Sequence, residues 1–244
     1  MQNSFGAGSA IAVDSGANPT PIDFNALQEW SIDFSASTKE LMGANQFALA
    51  VGRGAAKITT KIKYGSMDAR AKNTLMFGGT MTTGQTVFLE DVAASIPATP
   101  FQITAANVTG FSDLGVSDAT TNIRMVRVAS APTTGQYTVT TAGVYTFAAA
   151  DTLKAVKYSY TFTQATSGNS IAIGNPLLGV SSFFKLVLSA LFNGQRNTTI
   201  LNANMSSKLA WGTKTEDFTM PEIESSAFSD SAGNIGTFTQ AEAS

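Results

Sequence analysis

Two pairs of carboxylates are the residues whose type and spacing come closest to a catalytic arrangement. Glu216 and Asp217 are adjacent, and Glu222 and Glu224 stand two residues apart on a predicted strand, which places both on one face of it. Glycoside hydrolases use paired carboxylates as acid and as base or nucleophile. Pairs of this kind are also common on solvated strand faces, and that interpretation is the one the sequence favours.

Other catalytic and ligand-binding patterns are missing from the sequence. The chain has no Cys and no His, which excludes thiolate and imidazole metal sites, cysteine nucleophiles and His-dependent triads. Gly52, Arg53, Gly54 and Lys57 resemble a phosphate loop only in composition, because the Walker spacing is absent. We therefore predict a protein that is not an enzyme, with no catalytic, cofactor-binding or metal-binding residues and no cofactor.

Charge is unusually sparse along the chain. Charged residues make up 13% of the 244 positions, against about 25% in an ordinary soluble domain. A surface poor in charge is typical of a protein that buries much of its exterior against copies of itself. The alternative is a surface made polar by Ser, Thr and Asn. The formal net charge of −2 supplies no global field that would attract nucleic acid or anionic lipid.

No segment of the sequence predicts a membrane span or a secretion signal. The richest apolar run, residues 183–192, is interrupted by Lys185 and Ser189 and falls short of the ~18 residues that a span needs. Residues 1–16 lack the basic and apolar regions of a signal peptide. We expect no membrane partner.

Hydrophobic patterning predicts a mainly β protein with three regions. Residues 1–25 are small and polar and predict an extended N-terminal arm with few core contacts. Residues 26–95 and 166–244 predict one larger β domain. Residues 96–165, bounded by prolines and a polar Gly-containing segment, predict a small β subdomain inserted into it.

Two alternating strands near the N-terminus and the segment between them attract most interest. Residues 26–36 alternate between apolar side chains and a polar face that carries Glu29 and Asp33. Residues 57–64 alternate likewise, with a basic polar face. Residues 37–54 between them predict a long loop, and a loop of that length in a compact domain is usually functional.

One short helix is predicted, with Ser66 as its N-cap and Gly78-Gly79 at its end. The alternation of Tyr158, Tyr160 and Phe162 predicts core positions on a strand, and Asn193-Gly194 predicts a tight hairpin turn. The remaining strands are predicted at residues 86–91, 101–108, 123–129, 137–141, 144–148, 156–163, 170–173, 183–192, 195–204, 208–212 and 217–226, followed by a polar tail.

Charges of opposite sign are separated along the chain. Residues 39–72 hold seven basic and two acidic side chains, and beyond Lys214 there are six acidic side chains and no basic one. This separation suits head-to-tail stacking of copies. It equally suits pairing of the two regions within one subunit.

Three stretches, taken in order, resemble the major tail tube proteins of long-tailed bacteriophages. The first begins with KELMGANQF, the second contains a glycine-rich turn before GVYTF, and the third ends with AFSDSAGN. From first to last they span most of the chain, and they lie at residues 39–47, 50–54 and 57–63, then 127–132, 135–137, 143–147 and 149–151, then 208–209, 213–218, 221–222 and 227–234.

The resemblance implies a β-sandwich or half-barrel core with one flanking helix, long loops and extended termini. Six copies would form a ring, and stacked rings would form a tube that conducts genomic DNA during infection. The protein would be assembled in the host cytoplasm and reside in the virion tail. Its partners would be its own copies and other tail proteins (tape measure, terminator, and baseplate or distal tail components), with transient, non-specific passage of DNA.

The resemblance also gives roles to particular residues. The 37–54 loop would grip a neighbouring subunit through Leu41, Phe47, Leu49, Val51 and Arg53, and its deletion from 43 to 50 should leave a folded monomer that cannot polymerise. The inserted block would lie on the outside of the tube.

The polar face of the strand at 26–36 would line the channel. Glu29 and Asp33 would then repeat around the ring as an acidic wall, unless the basic strand at 57–64 lines the channel too. Two other functions remain open: a capsid decoration or baseplate protein, and a carbohydrate-binding β domain.

Overall fold

The structure is a computed structural model, and it describes residues 6, 8–16, 19–44, 46–179, 181–192 and 195–240. Strand accounts for 58% of it and helix for 5%, with several sheets and no closed barrel among the described residues. The predicted mainly β, sandwich-like fold is therefore confirmed. The strands are β1 (Ser9–Asp14), β2 (Pro21–Asp23), β3 (Leu27–Met42), β4 (Ala48–Tyr64), β5 (Met81–Ser95), β6 (Gln102–Thr104), β7 (Ser112–Asp118), β8 (Val126–Arg127), β9 (Gln136–Val139), β10 (Val144–Phe147), β11 (Ala155–Ile171), β12 (Phe184–Phe192), β13 (Gln195–Ala210), β14 (Glu222–Phe228) and β15 (Gly236–Gln240).

The chain divides into two compact units, one formed by Met1–Met81 with Ile171–Ser244 and the other by Thr82–Ser170. The second unit is thus an insertion into the first. It includes β5, which the sequence boundary at residue 96 assigned to the larger domain, because β5 pairs with β11.

The first unit, called the sheet unit below, is built on one sheet of eight strands. Their order is β2-β1-β12-β13-β14-β4-β3, and β15 also pairs with β13. One face of the sheet carries the core, in which Ile62, Leu186 and Ile223 are almost fully buried. A short helix, α1 (Ala69–Lys72), continues as a π-helical turn, Asn73–Phe77, and adds Ala71 and Leu75 to this core.

The termini of the sheet unit differ from the sequence prediction. Residues 1–25 were expected to form an extended arm with few core contacts, but β1 pairs with β12 along its whole length, and Ala10, Ala12, Ile22 and Phe24 are buried. Sequence patterning did not predict β1, because the small side chains of Ala10 and Ala12 give only a weak hydrophobic signal. The C-terminal tail likewise contains β15.

The helix starts later than predicted. Asp68, not Ser66, is its N-cap, and its carboxylate accepts a hydrogen bond from the Ala71 amide at 2.6 Å. The predicted end is confirmed, because Gly78 closes the π-helical turn in the left-handed conformation with φ of 62°. The predicted Asn193-Gly194 turn lies outside the described residues, and the strands on either side of it, β12 and β13, pair in antiparallel register.

The inserted unit is a small sandwich of two sheets, β6-β10-β9-β8 and β5-β11-β7. Its core is aromatic, with the stacked rings of Tyr158 and Tyr160 at 5.7 Å and a further ring from Phe162. The predicted alternation along β11 is confirmed, since all three side chains are buried. Sequence patterning missed β7 altogether, because Asp113 and Gly115 interrupt its apolar pattern.

Candidate assembly surfaces

The segment predicted as a loop at residues 37–54 is a two-stranded ribbon. β3 and β4 pair in register from Leu27 opposite Tyr64 to Met42 opposite Ala48. β14 borders β4 only from Ile58 to Lys63, so the ribbon extends past the sheet with no described strand along either edge. We call residues 36–56 the arm. The loop prediction was wrong because small residues paired across strands give no alternating pattern.

The arm exposes a concentration of apolar side chains. Leu41, Phe47, Leu49 and Val51 are 63%, 83%, 67% and 63% exposed. Leu49 and Val51 share one face of the ribbon, and Leu41 projects from the other because it pairs with Ala50. Arg53 is exposed at the base of the arm and makes no ion pair with any described carboxylate. An apolar ribbon of this kind needs another surface to cover it.

The two glutamates singled out in the sequence belong to a four-membered charge cluster on the polar face of the sheet. Glu222 Oε1 lies 2.8 Å from Lys208 Nζ and 3.2 Å from Lys61 Nζ. Glu224 Oε1 lies 3.4 Å and 3.3 Å from the same two nitrogens. The register explains the cluster, since Lys61 and Lys208 both face Glu224 from the neighbouring strands.

The pKa values of this cluster follow from its hydrogen bonds. The hydrogen bond from Lys208 is the main cause that lowers the pKa of Glu222 below its usual value of 4.5. The hydrogen bonds to Glu222 and Glu224 raise the pKa of Lys61 and of Lys208 above 10.5. All three groups are therefore held in their charged forms. A general acid in a glycosidase needs the opposite, a carboxyl group with a raised pKa.

Glu29 and Asp33 lie on the same polar face as the basic strand. Glu29 Oε2 is 2.8 Å from Lys63 Nζ, and Asp33 pairs in register with Thr59, between Lys57 and Lys61. Outside the arm, the strip of sheet formed by β3, β4, β14 and Lys208 of β13 holds four acidic and four basic side chains: Glu29, Asp33, Glu222, Glu224, Lys57, Lys61, Lys63 and Lys208. Antiparallel pairing places both sets on one side, so this face has balanced charge, which is the alternative that the sequence left open.

The opposite face of these strands is apolar apart from one hydrogen bond. Thr60 and Ser225 are buried, and their hydroxyl oxygens lie 2.5 Å apart. Trp30 and Ile32 are half-buried against the core on this face, whereas Phe34 is 63% exposed. The side chains of this face are therefore packed against the core within the sheet and become exposed to solvent towards the arm.

The inserted unit contains two buried carboxylates that sequence patterning did not single out. Asp113 accepts hydrogen bonds from the hydroxyls of Tyr137 at 2.8 Å and Tyr145 at 3.1 Å, and from the Gly115 amide at 3.0 Å. Burial is the main cause that raises the pKa of both tyrosines. Asp151 accepts a hydrogen bond from the Gly135 amide and forms an ion pair with Lys154. All their described partners are internal, so these carboxylates hold the fold together.

In comparisons with known proteins, no protein-family model and no curated protein matches the chain. Within the described residues, no group of three or more acidic side chains is arranged to hold a metal ion. None of the described helices is long and apolar enough to cross a membrane.

Proposed function

We propose that this chain is a structural virion protein that polymerises as stacked hexameric rings into the tail tube of a long-tailed phage, a conduit for genomic DNA during infection. The observation that carries the proposal is the arm. Four large apolar side chains stand exposed on a ribbon that extends beyond its own sheet. A neighbouring subunit is the surface that would cover them, and the sequence resemblance to tail tube proteins supports the same role.

The open edges of the sheet also support self-assembly. β3 is a 16-residue strand at one edge, and it has no partner on its outer side among the described residues. Natural proteins protect such edges, because an unpaired strand invites association. Closure of copies into a ring removes the edge from solvent. In this proposal, ring formation protects the open edge of β3.

The polar face of the sheet is the surface that we assign to the channel. A wall of free lysines would retain DNA through contacts with its phosphates. Here Lys61, Lys63 and Lys208 are each neutralised by a carboxylate within 3.4 Å. On this face of balanced charge, three of the four lysines are paired with carboxylates, which leaves few free cations to hold DNA and suits a conduit.

Negative-stain electron microscopy of the purified protein tests the proposal. We expect rings with six-fold symmetry and tubes made from them. Particles that remain monomeric at high concentration and across salt conditions would contradict it, and would favour a capsid decoration or baseplate role instead.

A further inference from the structure

An apolar groove opens where the arm leaves the sheet. It has a volume of about 440 Å³, and its large apolar lining residues are Phe34, Ile58 and Ile235, beside Ala227. Ser35 and Thr38 also line it, and Arg53 and Lys57 are on its rim. Phe34 and Ile235 are 63% and 40% exposed. No carboxylate lines the groove, and neither rim cation makes an ion pair with any described carboxylate. The groove thus offers an apolar floor and two unneutralised positive charges.

The loop between β13 and β14, residues 211–221, has the complementary chemistry. Phe218 is 89% exposed at its tip. Glu216 and Asp217 directly precede it, are exposed, and form no ion pair within the described part of the chain. An aromatic side chain beside two acids is an anchor suited to an apolar pocket with a basic rim. The loop carries one cation of its own, Lys214.

The two surfaces lie at opposite ends of the same strands. The loop ends where Glu222 begins β14, and the groove forms around Ala227 near the end of that strand, about 17 Å away along the strand. The loop of one molecule therefore cannot fill its own groove. It can fill the groove of a second molecule placed end to end.

We infer that residues 211–221 of one copy dock into the groove of the next, with Phe218 in contact with Phe34, Ile58 and Ile235, and with Glu216 and Asp217 facing Arg53 and Lys57. Because the two surfaces differ, the contact is head-to-tail and each copy can bind two others. The inference rests on the proposed self-assembly and adds to the arm a second contact between copies. Its partner is another copy of this chain.

Cysteine cross-linking tests the contact directly, because the chain has no cysteine of its own. The variant Asp217→Cys with Lys57→Cys places one thiol in the loop and one on the groove rim. Oxidation of the concentrated protein should give a ladder of multimers beyond the dimer, since a disulfide requires Cα atoms within about 7 Å. The control is Asp217→Cys with Asp23→Cys, because exposed Asp23 is on the opposite edge of the sheet. Dimers only, or equal ladders from both variants, would overturn the inference.

Substitutions check the two components of the contact. Phe218→Ala should raise the critical concentration for assembly roughly 30-fold, as expected for a central aromatic anchor. Reversing both rim charges, Arg53→Glu with Lys57→Glu, should block assembly, and adding Glu216→Lys with Asp217→Lys should restore it. A merely destabilised fold would not be rescued in this way, so failure of the rescue in folded protein would count against the contact.

These outcomes separate this inference from the proposed function. If Phe218→Ala forms normal tubes and the variant Asp217→Cys with Lys57→Cys gives no multimer ladder, the groove contact is contradicted and the tail tube proposal stands. A multimer ladder from a protein that never forms tubes would support the groove contact and contradict the tail tube proposal.

Discussion

Replacing the two most exposed apolar residues of the arm by serine should weaken assembly while sparing the fold. Phe47 and Leu49 are 83% and 67% exposed in the isolated subunit. Complete burial of such a side chain stabilises by about 1.5–3 kcal/mol, so covering the exposed fractions contributes about 2–4.5 kcal/mol per arm. A tenfold change corresponds to about 1.4 kcal/mol. Phe47→Ser with Leu49→Ser should therefore raise the critical concentration for assembly about 30- to 1600-fold.

Sedimentation of a dilution series measures the critical concentration, and circular dichroism measures the thermal unfolding of the unassembled subunit. We expect the unfolding temperature to stay unchanged, because neither side chain contributes to the core. The matched control is Ile123→Ser with Val126→Ser, two residues of the inserted unit with similar exposure, 68% and 59%. The reasoning is refuted if the arm variant assembles at the wild-type concentration, or if the control loses assembly equally.

Three further predictions concern stability and layout. Asp113→Ala should lower the unfolding temperature of the inserted unit, because it removes the acceptor of the Tyr137 and Tyr145 hydroxyls at about 1–3 kcal/mol for each; an unchanged calorimetric transition would contradict this. The pKa of Glu222 is lowered in the folded protein, so its ion pairs stabilise the fold above about pH 4.5, and this stabilisation is lost as the pH falls through the lower pKa of the folded state. Glu222→Gln should therefore reduce the fall of the unfolding temperature at acid pH, and an unchanged fall would contradict this role of Glu222. Limited proteolysis of assembled tubes should cut first at the boundaries of unit 82–170 if that unit lies on the outside; complete protection of those boundaries would contradict it.

Strands whose side chains alternate between apolar and polar could be predicted from the sequence. Strands that depend on pairing with another part of the chain could not. Tyr158, Tyr160 and Phe162 alternate with polar residues, and the pattern alone predicts their burial. The arm is built from small and mixed residues, and only the register between β3 and β4 makes it a ribbon. β1 depends on Ala10 and Ala12 fitting against β12, which no local property of the sequence indicates.

The candidate surfaces show the same division. The sequence predicts that Glu222 and Glu224 share a face, and it predicts a basic face on the strand at 57–64. It does not show that these two faces adjoin, because that depends on pairing between strands some 160 residues apart in the chain. The groove around Phe34 and Ile235 is likewise a product of tertiary structure. Exposed apolar residues become informative only once their neighbours are known.

Cryo-electron microscopy of the purified protein tests most directly whether this chain polymerises into hollow tubes. We expect stacked rings of six subunits, with the arm in contact with a neighbouring copy and the strip carrying Glu29, Asp33, Lys61 and Glu224 facing a central channel. Monomers alone, or an assembly in which the arms remain in solvent and the strip faces outward, would contradict it.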